Sequence, residues 1–131
     1  MNTINFNSAL ITGGAGFIGS YIAEKLIESG IKVKVLDNLI TGKKENLENC
    51  WNKKNFEFFQ QDLGNLENND FLDNVDIVFH FAADPEVRTG YDKPENSFNE
   101  NIVNTFNLLQ KIKHSKVKKF MFASSSSVYG N

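Results

Sequence analysis

Cysteine, a basic excess and long apolar runs are all scarce in this chain of 131 residues. Cys50 stands alone, so no intrachain disulfide can form, and no His/Cys spacing suggests a metal site. No run of about 18 apolar residues occurs, so no membrane-spanning helix is expected. The start of the chain lacks an apolar core behind basic residues, so no signal peptide is expected either. Lys and Arg number 14 against 16 Asp and Glu, a net charge of −2. Nucleic-acid binding needs basic patches that neutralise phosphates, so it is not expected here. The one lysine-rich stretch, 114–119, reads as a solvated helix end and loop. Internal repeats, low-complexity tracts and linkers are also missing. A cytoplasmic, soluble protein of one domain, residues 1–131, is the default expectation.

What is present is ordinary in bulk and specific in detail. Hydrophobic residues make up 40% and charged residues 23%, enough for a real core. The sharpest local signal is Thr12-Gly13-Gly14-Ala15-Gly16-Phe17-Ile18-Gly19. It follows the apolar run Ala9-Leu10-Ile11 and opens a helix-like run from Ser20 to Ser29. Strand, glycine loop and helix in that order make a phosphate cradle, with the free N–H groups and positive dipole end of the helix facing the anion. Phe17, Ile18, Ile22, Leu26 and Ile27 recur at helical spacing and are expected to form its buried stripe. Gly30 ends the helix.

Asn7–Thr12, Ile31–Leu36, Phe56–Gln60, Val75–Phe81 and Lys118–Ala123 read as short apolar strands. Helices are expected over 66–72 and about 95–113, the latter with a stripe of Phe98, Ile102, Thr105, Phe106, Leu109 and Ile112. A loop with Pro85, Gly90 and Pro94 joins the fourth strand to that long helix. The alternation implies a doubly wound α/β fold of the Rossmann type, with five parallel strands in the order 3-2-1-4-5. Asp37 lies 18 residues past Gly19, at the end of strand two. An acid there accepts hydrogen bonds from the adenosine ribose and repels a 2′-phosphate, so it favours NAD over NADP; the plainer alternative is a turn Asp beside Asn38. Asp62 follows strand three, where it either meets an adenine amine or serves as a helix N-cap or turn Asp. His80 inside strand four is expected to be a packed core residue. Asn101 and Asn104 lie on or near the buried side of the long helix and need partners.

Six motifs then line up in register: the glycine loop, Asp37-Asn38-Leu39, Asp62-Leu63, His80-Phe81-Ala82-Ala83, Asn101…Thr105…Leu109, and Ser124 to Gly130. Together they resemble the extended short-chain dehydrogenase/reductases, in the NAD-dependent epimerase/dehydratase branch, and within it the N-terminal part of the UDP-glucose 4-epimerase group. The resemblance implies that Gly13, Gly16, Phe17, Ile18 and Gly19 hold the pyrophosphate of NAD. It implies that Asp37 and Asn38, with Thr41 and Gly42 nearby, hold the ribose, and that Asp62 and Leu63 flank the adenine. Phe81, Ala82, Ala83 and Pro85 would line the central channel, supported by Asn101. Ser125, four residues before Tyr129, would hydrogen-bond the sugar O4.

The family's base is the tyrosine of a Tyr-x-x-x-Lys pair on the helix after strand five. The sequence holds one such spacing, Tyr21 to Lys25 in the first helix, and it reads as ordinary helix surface. The resemblance therefore implies the NAD-binding portion of a nucleotide-sugar epimerase, truncated before its later strands and sugar domain and inactive alone. A half-enzyme completed in trans and an NAD-sensing module remain alternatives. The family is usually homodimeric, and without the missing helix the stripe of helix 95–113 should be exposed. UDP-glucose/galactose is the favoured sugar, because Ser125-Ser126-Ser127 replaces the acidic triplet of the dehydratases. UDP-uronate and UDP-N-acetylhexosamine epimerases, and nucleotide-sugar dehydratases, stay open.

Overall fold

The computed structural model describes residues 5–85 and 92–130. The Gly90 part of the expected loop lies outside them. Five strands form one parallel sheet: β1 (Ser8–Thr12), β2 (Lys32–Asp37), β3 (Phe56–Gln60), β4 (Ile77–His80) and β5 (Lys119–Phe122). Their order is β3-β2-β1-β4-β5, as the alternation of elements predicts. Helix α1 (Phe17–Glu28) connects β1 to β2. The long helix before β5 has three parts: α2 (Pro94–Phe98), a π turn (Asn99–Val103) and α3 (Asn104–Lys113).

Side chains on a strand alternate between faces, and here both faces are covered. Leu10, Leu36 and Val78 point to one side, where Phe71, Leu72 and Leu108 pack on them. Ile11, Val33 and Val35 point to the other, against Ala23 and Ile27 of α1 and against Leu47 and Cys50. Burying each Leu, Ile or Val contributes about 1.5–3 kcal/mol. The order 3-2-1-4-5 places β1 centrally, so its C-terminal end is a switch point where the chain leaves in opposite directions.

Two sequence expectations give way to packing. Phe17 is 91% exposed and Ile18 is 59% exposed, so neither belongs to a buried stripe. The face of α1 that meets the sheet is Gly19, Ser20, Ala23 and Ile27. A Cβ on Gly19 would lie 2.4 Å from the Gly13 carbonyl oxygen, so the helix start sits too close to the loop for large residues to turn inward. The predicted helix 66–72 reduces to a single 3₁₀ turn, Asp70–Leu72. The Asp70 N–H donates to Asn68 Oδ1 at 3.2 Å, and such local side-chain acceptors compete with helix formation.

At the opposite end of the sheet, Asp76 gathers three strand starts. Its carboxylate accepts from the N–H groups of Asn7 and Ser8 and from Lys118 Nζ at 2.8 Å. The lysine hydrogen bond, with the Asn7 amide behind it, holds the Asp76 carboxyl down at about 2.

Candidate dinucleotide site

The C-terminal ends of the strands open onto a cleft of about 860 Å3. Its floor is the glycine loop. Gly13 has φ +67, and a Cβ there would meet the Ala82 amide nitrogen at 2.6 Å, so only glycine fits between β1 and β4. The Gly16 N–H donates back to the Gly13 carbonyl at 3.1 Å. The first hydrogen bond of α1 runs from the Ser20 N–H to the Gly16 carbonyl at 3.0 Å. The amides of Phe17, Ile18 and Gly19 precede it and have no intrahelical acceptor. No side chain caps this end and no acidic residue lies in its first turn. The positive end of α1 is therefore free to meet an anion, and Phe17, Ile18 and Gly19 all line the cleft.

Asp37 forms the wall on the β2 side and is only 7% exposed. Its Oδ2 accepts from the Ala15 N–H at 2.9 Å and its Oδ1 from the Leu39 N–H at 2.8 Å. The turn alternative and the wall position are thus both realised. An ionised carboxylate has about four acceptor sites, so two bonds leave capacity toward the cleft. The Ala15 carbonyl is held as well, by the Lys43 N–H at 3.0 Å and Asn46 Nδ2 at 2.8 Å. The apex of the glycine loop is clamped on both of its polar groups.

Most of the expected site residues meet here. Gly13, Gly16, Phe17, Ile18, Gly19, Asp37, Asn38, Thr41, Gly42, Leu63, Phe81, Ala82, Ala83 and Pro85 all line the cleft. Asp62 does not. It turns aside to accept from Asn38 Nδ2 at 2.6 Å and the Gly64 N–H at 2.7 Å. Asn101 stands behind the wall, accepting from the Asp84 N–H at 2.7 Å and donating to the Asp84 carbonyl at 3.2 Å. Ser125 sits outside the cleft lining on an exposed turn after β5, with its carbonyl accepting from the Val128 N–H at 3.3 Å. Tyr21 and Lys25 lie on the outer face of α1, where Lys25 pairs with Glu28 at 2.8 Å. Among the described residues, no three His, Cys, Asp or Glu side chains gather as a metal site, and no helix is long and apolar enough to cross a membrane.

Of the other lining residues, Gln61 and Glu100 carry no local signal in the sequence, while Asn104 is the residue expected near the buried side of the long helix. Gln61, Glu100 and Asn104 reach the cleft from the end of β3 and from the long helix. Glu100 bonds Asn104 Nδ2 at 3.0 Å, and burial followed by the nearby charge of Asp62 pushes its carboxyl up. The π turn shifts the phase of the helix, so a regular 3.6-residue count does not place Glu100 there. Gln61 was findable in principle, since strand C-termini face the ligand crevice in this architecture.

A parallel sheet in this order, with a glycine loop on its central strand and an acid closing the next one, defines a Rossmann-type nucleotide-binding architecture. Comparison with known proteins narrows it: the family model described as GDP-mannose 4,6 dehydratase matches residues 10–131, and the chain belongs to this NAD-dependent epimerase/dehydratase family. A UDP-glucose 4-epimerase of Yersinia enterocolitica is 37% identical, with 94% of this chain aligned to 38% of that protein. The solved UDP-N-acetylglucosamine 4-epimerase of Methanobrevibacter ruminantium M1, in complex with UDP-N-acetylmuramic acid, superposes with a TM-score of 0.88 at 38% identity. That match covers 97% of this chain and 40% of the other. The UDP-glucuronic acid 4-epimerase of Bacillus cereus, a variant solved with NAD and a fluorinated UDP-sugar, gives 0.86 at 37% identity, covering 95% and 42%. The chain thus spans about two-fifths of the length of these relatives, in their N-terminal portion.

Proposed function

We propose that this chain is the NAD-binding portion of a nucleotide-sugar epimerase of the UDP-glucose/UDP-galactose 4-epimerase type, and that it needs further residues to turn over. The observation that carries the proposal is the cleft itself: a glycine loop, an uncapped helix start and the Asp37 carboxylate converge on one 860 Å3 space. These groups fit the cofactor. Phe17, Ile18 and Gly19 would offer backbone donors to the pyrophosphate, with Gly13 and Gly16 keeping side chains out of its way. Asp37, with Asn38, Thr41 and Gly42, would accept the ribose hydroxyls and disfavour a 2′-phosphate. Leu63 supports an adenine position, with Asp62 acting through Asn38. Phe81, Ala82, Ala83 and Pro85 would wall the other half, braced by Asn101.

When bound, NAD supplies transient oxidation at the sugar C4. Ser125 would hydrogen-bond the sugar O4, and its place just beyond β5 supports that role. Proton removal needs a tyrosine whose pKa is lowered by a nearby cation. The Tyr-x-x-x-Lys spacing of this sequence, Tyr21 to Lys25, lies on the outer face of α1, which supports binding without turnover by these residues alone. An NAD-binding module or a half-enzyme completed by another chain shares that property. Association belongs to the same proposal, because Phe98, Ile102 and Phe106 are each more than half exposed on the long helix. A cytoplasmic setting fits the buried, unpaired Cys50.

Calorimetric titration of the chain with NAD and NADP tests the proposal. NAD should bind and NADP should bind at least tenfold more weakly, a difference of about 1.4 kcal/mol. No NAD binding at millimolar ligand overturns it.

A further inference from the structure

His80 is buried at the centre of a polar chain that the cleft residues themselves do not use. Its Nδ1 lies 2.6 Å from Thr12 Oγ1 and its Nε2 lies 2.8 Å from Thr105 Oγ1. The direction of each bond follows from the carbonyl at one end. Thr105 Oγ1 bonds the Asn101 carbonyl at 2.8 Å, and a carbonyl can only accept, so the hydroxyl hydrogen is committed there. Thr105 Oγ1 must then accept from His80, which puts the proton on Nε2. Nδ1 is left as the acceptor and takes the Thr12 hydroxyl hydrogen. Thr12 Oγ1 in turn lies 3.4 Å from the Ala82 N–H. At the far end, Asn101 holds both backbone groups of Asp84.

We infer that His80, neutral and fixed as the Nε2–H tautomer, is a positioning residue: it joins the end of β1 to Asn101 and so sets the Ala82–Pro85 wall against the glycine loop. From the Ala82 N–H to the Asn101 carbonyl each hydrogen meets one acceptor, so this stretch of the network has a single direction. Burial pushes the imidazole down to about 4, in keeping with a neutral ring. The inference rests on the NAD proposal only for what the wall would touch. Asp37 fixes the adenosine half of the ligand on the β2 side, so a wall beyond β4 would meet the nicotinamide half.

The test uses Thr105→Val, which keeps shape and removes the hydroxyl, and Thr105→Ser, which restores it. Long-range ¹H–¹⁵N correlation spectra of the full chain at pH 7 should show His80 protonated at Nε2 alone. In Thr105→Val the Asp84 amide resonance should move while those of Gly13 to Gly16 stay. NAD affinity should fall about fivefold, while ADP-ribose, which lacks the nicotinamide ring, should bind unchanged. Thr105→Ser should recover both the resonance and the affinity. A proton on Nδ1, an unmoved Asp84 amide, or equal loss of NAD and ADP-ribose overturns the inference. If wild type binds neither ligand, the NAD proposal fails, and the tautomer and the Asp84 amide still decide the relay.

Discussion

The two sides of the cleft are finished to different degrees. On the β2 side the apex of the glycine loop is held from within the chain: Asp37 holds Ala15 and Leu39, and Asn46 and Lys43 hold Ala15. On the β5 side large apolar residues face outward, among them Met121, Phe122, Phe98, Ile102 and Phe106. The contrast is between a braced wall and an exposed apolar edge. Exposed large apolar residues gathered at one edge of a sheet mark a candidate interaction surface. On the proposed reading, binding of the dinucleotide and completion of a catalytic site would be separable.

The largest effect should come from the most crowded point of the finished side. Gly13→Ala combines a left-handed φ with a backbone clash at Ala82. It should cost about 4 kcal/mol in urea unfolding and remove detectable NAD binding by calorimetry. Next is the pH dependence of the buried network that links the two sides. The His80 imidazole sits at about 4 in the folded chain against about 6.5 when unfolded. Because the folded value is depressed, the unfolded state takes up the proton first. Its contribution is fully present above pH 6.5 and is lost as pH falls from there to about 4, up to about 3 kcal/mol. Urea midpoints measured across that window should fall for the wild type and stay flatter for His80→Gln. Asp76 titrates lower, between its ordinary value and about 2, so its edge clasp should survive that window.

Asp37→Asn is expected to be milder in stability and sharper in ligand choice. It keeps one acceptor oxygen and leaves one of two backbone donors poorly served, at about 2 kcal/mol. The NAD-over-NADP preference should shrink toward unity in competition titrations. The smallest effect should come from the uncovered side. Phe106→Ser changes an outward-facing residue, so chemical stability should move by less than about 0.5 kcal/mol. Sedimentation velocity on the same variant should show less self-association than wild type. A large loss of stability there would mean that the β5 face is not as open as it looks.

How much of this was legible in the sequence depends on whether a feature is local. The glycine loop, the strand order and Asp37 are written in short spacings and in period-two apolar runs, and the structure follows them. The exposure of Phe17 and Ile18 was hidden, because it depends on Gly19 pressing against the loop from a neighbouring turn. Glu100 was hidden by a π turn. Asp62 was placed at the right strand end, yet its side chain is taken by Asn38, a competition that spacing cannot express. The exposed stripe of Phe98, Ile102 and Phe106 was expected, as was Asn104 on the buried side, whereas Leu108, the buried apolar residue of α3, was not.

The doubly held apex at Ala15 has a kinetic consequence. A phosphate loop that is mobile when empty must be ordered by its ligand, and that ordering weakens affinity and slows capture. Here the ordering is part of folding, done by Asp37, Lys43 and Asn46 before any ligand arrives. On the proposed reading the loop would meet a pyrophosphate as a preformed mould, so the arrival rate should be set by diffusion into the cleft, and tightness by how slowly the fitted ligand escapes.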